Sequence, residues 1–296
     1  MSNIFGPVAT AMVTPMRPDQ TVDLDQAQKL ADYLVENGTD TVLVCGTTGE
    51  APTVSDKEKL ELFAVVKEAV GNRGKVMANT GTYNTKHSIE LSQAAEKVGV
   101  DGLLLVVPYY NKPPQEGLFR HFKAIAGSVD LPCMIYNIPP RVVVNMLPET
   151  LARLVAAAPN VMAVKEASGS LDQVSAIRRL TPSEFAIYSG DDSLTLPLLS
   201  VGGCGVVSVA AHIVGPAIRG MILAYQAGNV AEAEAIHRRL GPIFKALFIT
   251  TNPIMVKWAM SLVGLECGPV RLPLVPPTEA EQAVLRKAWD DLQKLA

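Results

Sequence analysis

The chain has 296 residues, 48% hydrophobic and 19% charged, with 26 Lys and Arg against 29 Asp and Glu for a net charge of −3. That apolar content excludes a disordered chain, and the lack of a basic excess excludes a protein that coats nucleic acid. Four widely spaced cysteines (Cys45, Cys133, Cys204 and Cys267) form no CxxC pair, which argues against a disulfide framework or a zinc ribbon.

The N-terminal stretch MSNIFGPVATAMVTPMRPDQ has no basic segment leading into an apolar core, so no signal peptide is read and a cytoplasmic protein is expected. Short apolar runs then recur: Val8–Val13, Thr41–Cys45, Lys75–Asn79, Leu103–Val107, Cys133–Tyr136, Val161–Val164, Phe185–Tyr188 and Val206–Val209. They are rich in β-branched residues and do not alternate with polar ones, as expected of parallel strands buried on both faces. Helical stripes lie between them. Leu62, Val65, Val66, Ala69 and Val70 form one, opened by Ser55-Asp56-Lys57-Glu58 as a capping box. Leu91, Ala94, Ala95 and Val98 form a second; Leu151, Leu154, Val155 and Ala158, with Pro148 in the first turn, form a third. Ser193–Gly220 holds no charge before Arg219 and is long enough to span a bilayer. Its prolines and glycines favour a buried helix, a glycine turn and a buried strand instead, so no membrane span is expected.

Eight strands spaced by about one βαβ unit predict a (β/α)8 TIM barrel over residues 1–226. Beyond it, Ala231–Phe248, Pro253–Leu262 and Thr278–Leu295 predict a C-terminal helical part, 227–296, packed on the barrel.

Barrel chemistry gathers where strands end. There the sequence places Gly46-Thr47-Thr48-Gly49-Glu50, Pro108-Tyr109-Tyr110-Asn111, Tyr136-Asn137-Ile138-Pro139-Pro140-Arg141, Lys165-Glu166 and Ser189-Gly190-Asp191-Asp192. Lys165 is either a strand-end lysine reaching solvent or an amine held in the barrel mouth, where burial lowers its pKa and a Schiff base becomes accessible. Glu166 points to the opposite face and pairs with a helix or backbone. Tyr136 either packs by its ring or moves protons for such an amine. Gly-Thr-Thr-Gly is a turn or a cradle for a carboxylate. Asp191 and Asp192 read as helix caps, since no nearby partner completes a metal set. No metal spacing links His87, His121, His212 and His237, and His212 reads as structural.

Together these motifs, with Lys165-Glu166-Ala167 and Gly190-Asp191, resemble the pyruvate-dependent class I aldolase family that includes dihydrodipicolinate synthases and N-acetylneuraminate lyases. The resemblance covers nearly the whole chain. It implies Schiff-base formation between Lys165 and pyruvate, Tyr136 as proton donor and acceptor, and Thr48 binding the pyruvate carboxylate. Gly190 and Val207 join the substrate-binding residues. Thr47-Thr48, the Tyr109-Tyr110 loop and Arg141 resemble the branch that condenses pyruvate with L-aspartate 4-semialdehyde, an early step towards diaminopimelate and lysine. Arg141 would there receive the semialdehyde carboxylate. Thr47, Tyr136 and Tyr110 would form the proton relay, Tyr110 reaching into a neighbouring subunit. The alternatives are a sibling lyase acting on a keto-sugar acid and a barrel that binds without turnover. No metal or organic cofactor is implied, and the partners are the two small substrates and further copies of the chain in a homotetramer of tight dimers. Lysine-sensitive members carry a histidine where Lys59 stands and a glutamate where His87 stands, which implies weak or absent inhibition by lysine here.

Overall fold

The computed structural model describes residues 4–294. Eight parallel strands close into a barrel in sequence order. They are β1 (Val8–Ala11), β2 (Thr41–Val44), β3 (Lys75–Asn79), β4 (Gly102–Val106), β5 (Cys133–Asn137), β6 (Val161–Glu166), β7 (Ala186–Ser189) and β8 (Gly205–Ser208). Each overlaps its expected run within a residue or two. The crossovers carry α1 (Leu24–Glu36), α2 (Asp56–Val70), α3 (Thr85–Val98) and α4 (Gln115–Ala126). They continue with a short α5 (Pro139–Val142), then α6 (Pro148–Ala157), α7 (Leu171–Leu180), α8 (Thr195–Ser200) and α9 (Ala211–Gln226). The uncharged stretch after Ser193 thus becomes helix, turn, strand and helix. Among the described residues no helix is long and apolar enough to cross a membrane.

Alternation along each strand divides the buried residues in two. One set fills the barrel: Ala9, Leu43, Met77, Leu104, Met134, Tyr136, Ala163, Tyr188 and Val207 among others. The other set, including Val42, Val76, Ile135, Val164 and Ile187, faces the helices. Ser55 and Glu58 form the expected capping box on α2.

Three further helical elements follow: α10 (Val230–Leu247), α11 (Ile254–Ala259), continued by a 3-10 turn over Met260–Val263, and α12 (Glu279–Gln293). Thr278 and Glu281 form a capping box on α12. The Leu295 end expected for this helix lies outside the described residues. Buried Leu240, Phe244, Met255 and Leu285 join these helices to the outer apolar layer of the barrel.

One irregularity sets the phase of the site. Cys133 pairs with Val161, but Met134 pairs with Ala163, so Met162 is an extra residue in β6. Beyond this bulge Tyr136 pairs with Lys165. In an unbroken register Tyr136 would face Val164, whose side chain belongs to the helix side. The bulge therefore brings Lys165 into the barrel interior beside Tyr136.

Candidate active site

Lys165 lies two residues beyond inward-facing Ala163, and Tyr136 two beyond Met134, so both project into the barrel at its mouth. Lys165 is 5% exposed. Its Nζ lies 4.1 Å from the centre of the Tyr136 ring. Burial pulls the lysine pKa down to about 7, the Asp192 carboxylate opposes that, and the Arg141 guanidinium reinforces it. Burial pushes the Tyr136 phenol up to about 12, against Arg141 and a hydrogen bond with the Thr47 side chain. At neutral pH the site therefore holds an amine with a substantial neutral fraction, the nucleophilic form, beside a protonated phenol, the donor form.

Thr47 and Thr48 sit on the turn after β2. Cys45 and Glu50, at φ of 56° and 55°, flank it in the left-handed region, a conformation that costs about 1–3 kcal/mol per residue and persists only where the surroundings hold it. Those surroundings are visible. Thr14 Oγ1 donates to the Gly49 carbonyl at 2.7 Å. The buried Glu50 carboxylate accepts from Lys257 Nζ on α11 at 2.7 Å and from the Arg271 amide at 2.8 Å. Thr48 is 2% exposed, and its Oγ1 accepts from Asn252 Nδ2 at 2.9 Å.

Gly190 follows β7. A methyl group there would stand 2.6 Å from Ala167 Cβ and 3.2 Å from Lys165 Cε, so only glycine lets this turn pack on the lysine stem. Val207 is buried in the inner layer, level with Ala9 of β1. Asp192 is buried too. Its Oδ1 accepts from Ser208 Oγ, and its Oδ2 accepts from the amides of Val209 and Ala210 at 3.0 and 2.9 Å, just before α9. Asp191 instead accepts from the Ser193 amide. Asp192 thus ties down the turn between β8 and α9, and neither aspartate makes the side-chain helix cap that the sequence suggests: α8 and α9 both start without one. Among the described residues no group of three or more His, Cys, Asp or Glu is placed to hold a metal ion.

Arg141 lies in the short α5, where Pro139 and Pro140 set the first turn. Its Nη2 donates to the Asn252 carbonyl at 3.4 Å. A cavity of about 230 Å³ opens over Thr47, Tyr136 and Arg141 and runs past Tyr109 to Lys59. Tyr110 is not among the residues lining it. That side chain is 93% exposed, at φ 72°, whereas Tyr109 packs edge-on against Tyr83 at 5.1 Å.

The residues read as structural are so placed. Glu166 accepts from Asn137, the Ser168 amide and Gln173 of α7 on the helix side. His212 accepts from the Val13 amide and donates to the Val209 carbonyl, and burial lowers its pKa to about 4. All four cysteines are free and buried. Sequence reasoning passed over Asn252, Lys257 and the bulge at Met162. Each acts through a partner distant in sequence, and only the polarity of Asn252 and Lys257 within an apolar C-terminal segment hinted at a role.

The dihydrodipicolinate synthetase family model matches residues 4–292. The chain is 56% identical over 291 residues to the 4-hydroxy-tetrahydrodipicolinate synthase of Desulforudis audaxviator (strain MP104C), covering 98% of this chain and 99% of that one. It is 56% identical over 292 residues to the same-named enzyme of Cyanothece sp. (strain PCC 7425 / ATCC 29141), again over 98% and 99% of the two chains. Among solved structures it is similar to the dihydrodipicolinate synthase of Cyanidioschyzon merolae with lysine bound, at 49% identity and a TM-score of 0.97 over 98% of this chain and 99% of that one. The chain belongs to the dihydrodipicolinate synthetase family.

Proposed function

We propose that this chain condenses pyruvate with L-aspartate 4-semialdehyde, through a Schiff base on Lys165, to give 4-hydroxy-tetrahydrodipicolinate. The observation that carries the reading is a buried amine, its pKa near 7, stacked on Tyr136 in the barrel mouth. Relatives more than half identical over nearly the whole chain bear the name of this activity. The neutral Nζ attacks the pyruvate ketone, and loss of water leaves an imine. Loss of a methyl proton gives an enamine, whose carbon attacks the aldehyde of the second substrate. The product's amino group then displaces Lys165 and closes the ring. Tyr136, with Thr47, moves the protons. Thr48 holds the pyruvate carboxylate, and Gly190 and Val207 border that substrate. Arg141 takes the second carboxylate.

On this reading residues 1–226 carry the chemistry, and residues 227–296 brace the Thr47-Thr48 turn. Pathway membership in lysine and diaminopimelate biosynthesis, a cytoplasmic site of action and a homotetramer of tight dimers belong to the same proposal. Tyr110 would complete the proton relay of a neighbouring subunit. Initial rates of pyruvate consumption test the substrate assignment. Turnover with aspartate semialdehyde supports it, whereas cleavage of a keto-sugar acid without that condensation overturns it in favour of a sibling lyase.

A further inference from the structure

Asn252 lies between α10 and α11, 7% exposed, at the junction of two groups that the proposed function assigns to different substrates. Its Nδ2 donates to Thr48 Oγ1 at 2.9 Å, and its main-chain carbonyl accepts from Arg141 Nη2 at 3.4 Å. Its Oδ1 is buried with no hydrogen-bond partner. Thr48 is therefore the side-chain amide's one hydrogen-bond partner among the described residues.

The polarity of the Thr48 contact matters. A threonine hydroxyl has one proton and two acceptor lone pairs. Because Asn252 donates into Oγ1, the Thr48 proton stays free to be donated elsewhere. A carboxylate only accepts hydrogen bonds, so pyruvate needs that proton. Were the partner an acceptor, it would draw the proton away and leave lone pairs facing the substrate carboxylate.

We infer that Asn252 is a positioning residue for pyruvate binding: its side-chain amide fixes the Thr48 hydroxyl as a hydrogen-bond donor to the substrate carboxylate. The inference rests on the proposed pyruvate chemistry. It brings the C-terminal helical part into substrate recognition, since the side chain that orients Thr48 comes from outside the barrel.

Borohydride trapping of the Lys165 imine across a pyruvate titration tests it, with the intact enzyme and thermal unfolding of every variant as a control. Asn252→Asp keeps the shape but offers only acceptors; half-maximal trapping should need at least about tenfold more pyruvate, the size of one charge-assisted hydrogen bond, while trapping at saturation approaches the wild-type level. Asn252→Ala should raise that concentration by a smaller factor. In a Thr48→Val background, Asn252→Ala should add nothing, because the group it orients is gone. An equal effect of Asn252→Ala in both backgrounds, or no shift in either Asn252 variant, overturns the inference. Should Asn252→Asp fail to fold, the alanine cycle still decides. Absence of any trapped imine in the wild-type enzyme instead overturns the proposed function, so the two failures are distinguishable.

Discussion

At Lys165 the deciding quantity is the fraction of neutral amine. Burial holds its pKa near 7, so the ammonium dominates below that pH and the nucleophile above it. Imine formation with saturating pyruvate should therefore rise as pH increases through about 7 and level off above it. A stopped-flow pH profile checks this, and a rate still climbing towards pH 10 would show an unperturbed lysine. Gly190 makes a second test. Gly190→Ala brings a methyl group to within 2.6 Å of Ala167 Cβ and 3.2 Å of Lys165 Cε. Overpacking of this kind costs about 1–3 kcal/mol, and the shifted lysine should lose most of its kcat, measurable beside the unfolding midpoint. Arg141→Ala should leave the pyruvate imine intact and weaken use of the semialdehyde by about 1.5–3 kcal/mol, about tenfold to a hundredfold in KM. An unchanged KM would remove Arg141 from the second carboxylate.

The elements were legible in the sequence where their physics is local. Continuous apolar runs announced parallel strands, and polar residues directly after them announced the mouth. Lys165 and Tyr136 stand out in the sequence because each ends a strand run, and the structure sets them side by side. What stayed hidden depends on contacts between distant residues. The bulge at Met162 becomes visible only once β5 and β6 are paired. Lys257 meets Glu50 across 207 residues, and Asn252 meets Thr48 across 204. The Lys257–Glu50 pair, with side chains only 2% and 1% exposed, clamps α11 to the Thr47-Thr48 turn. Lys257→Met should leave a buried carboxylate unpaired and destabilise the chain by about 3–5 kcal/mol in denaturant titrations. Adding Glu50→Gln should recover part of that loss. A single variant as stable as wild type would show that the pair does not hold the turn.

For the whole molecule, the exposed, left-handed Tyr110 and the cavity end at Lys59 bear on assembly and control. Mixing inactive Tyr110→Phe chains with inactive Lys165→Ala chains should restore part of the activity if Tyr110 serves a neighbouring subunit; no recovery after confirmed mixing counts against sharing. Lys59 lines the far end of the cavity; beyond that lining, Asp56 accepts from Lys59 Nζ at 3.2 Å and meets His87 Nε2 at 2.6 Å. A cationic amino acid arriving there faces a lysine and finds that carboxylate already engaged. Inhibition by lysine should be at least about tenfold weaker than a site with a free carboxylate would give, and strong inhibition below millimolar lysine would contradict this. The central claim, a Schiff base on one buried lysine, is tested most directly by reducing the pyruvate-loaded enzyme with borohydride and locating the adduct by peptide mass spectrometry. The account predicts one reduced pyruvate per chain, on Lys165, and none on the Lys165→Ala variant. An adduct on another lysine, or one that persists in that variant, would contradict it.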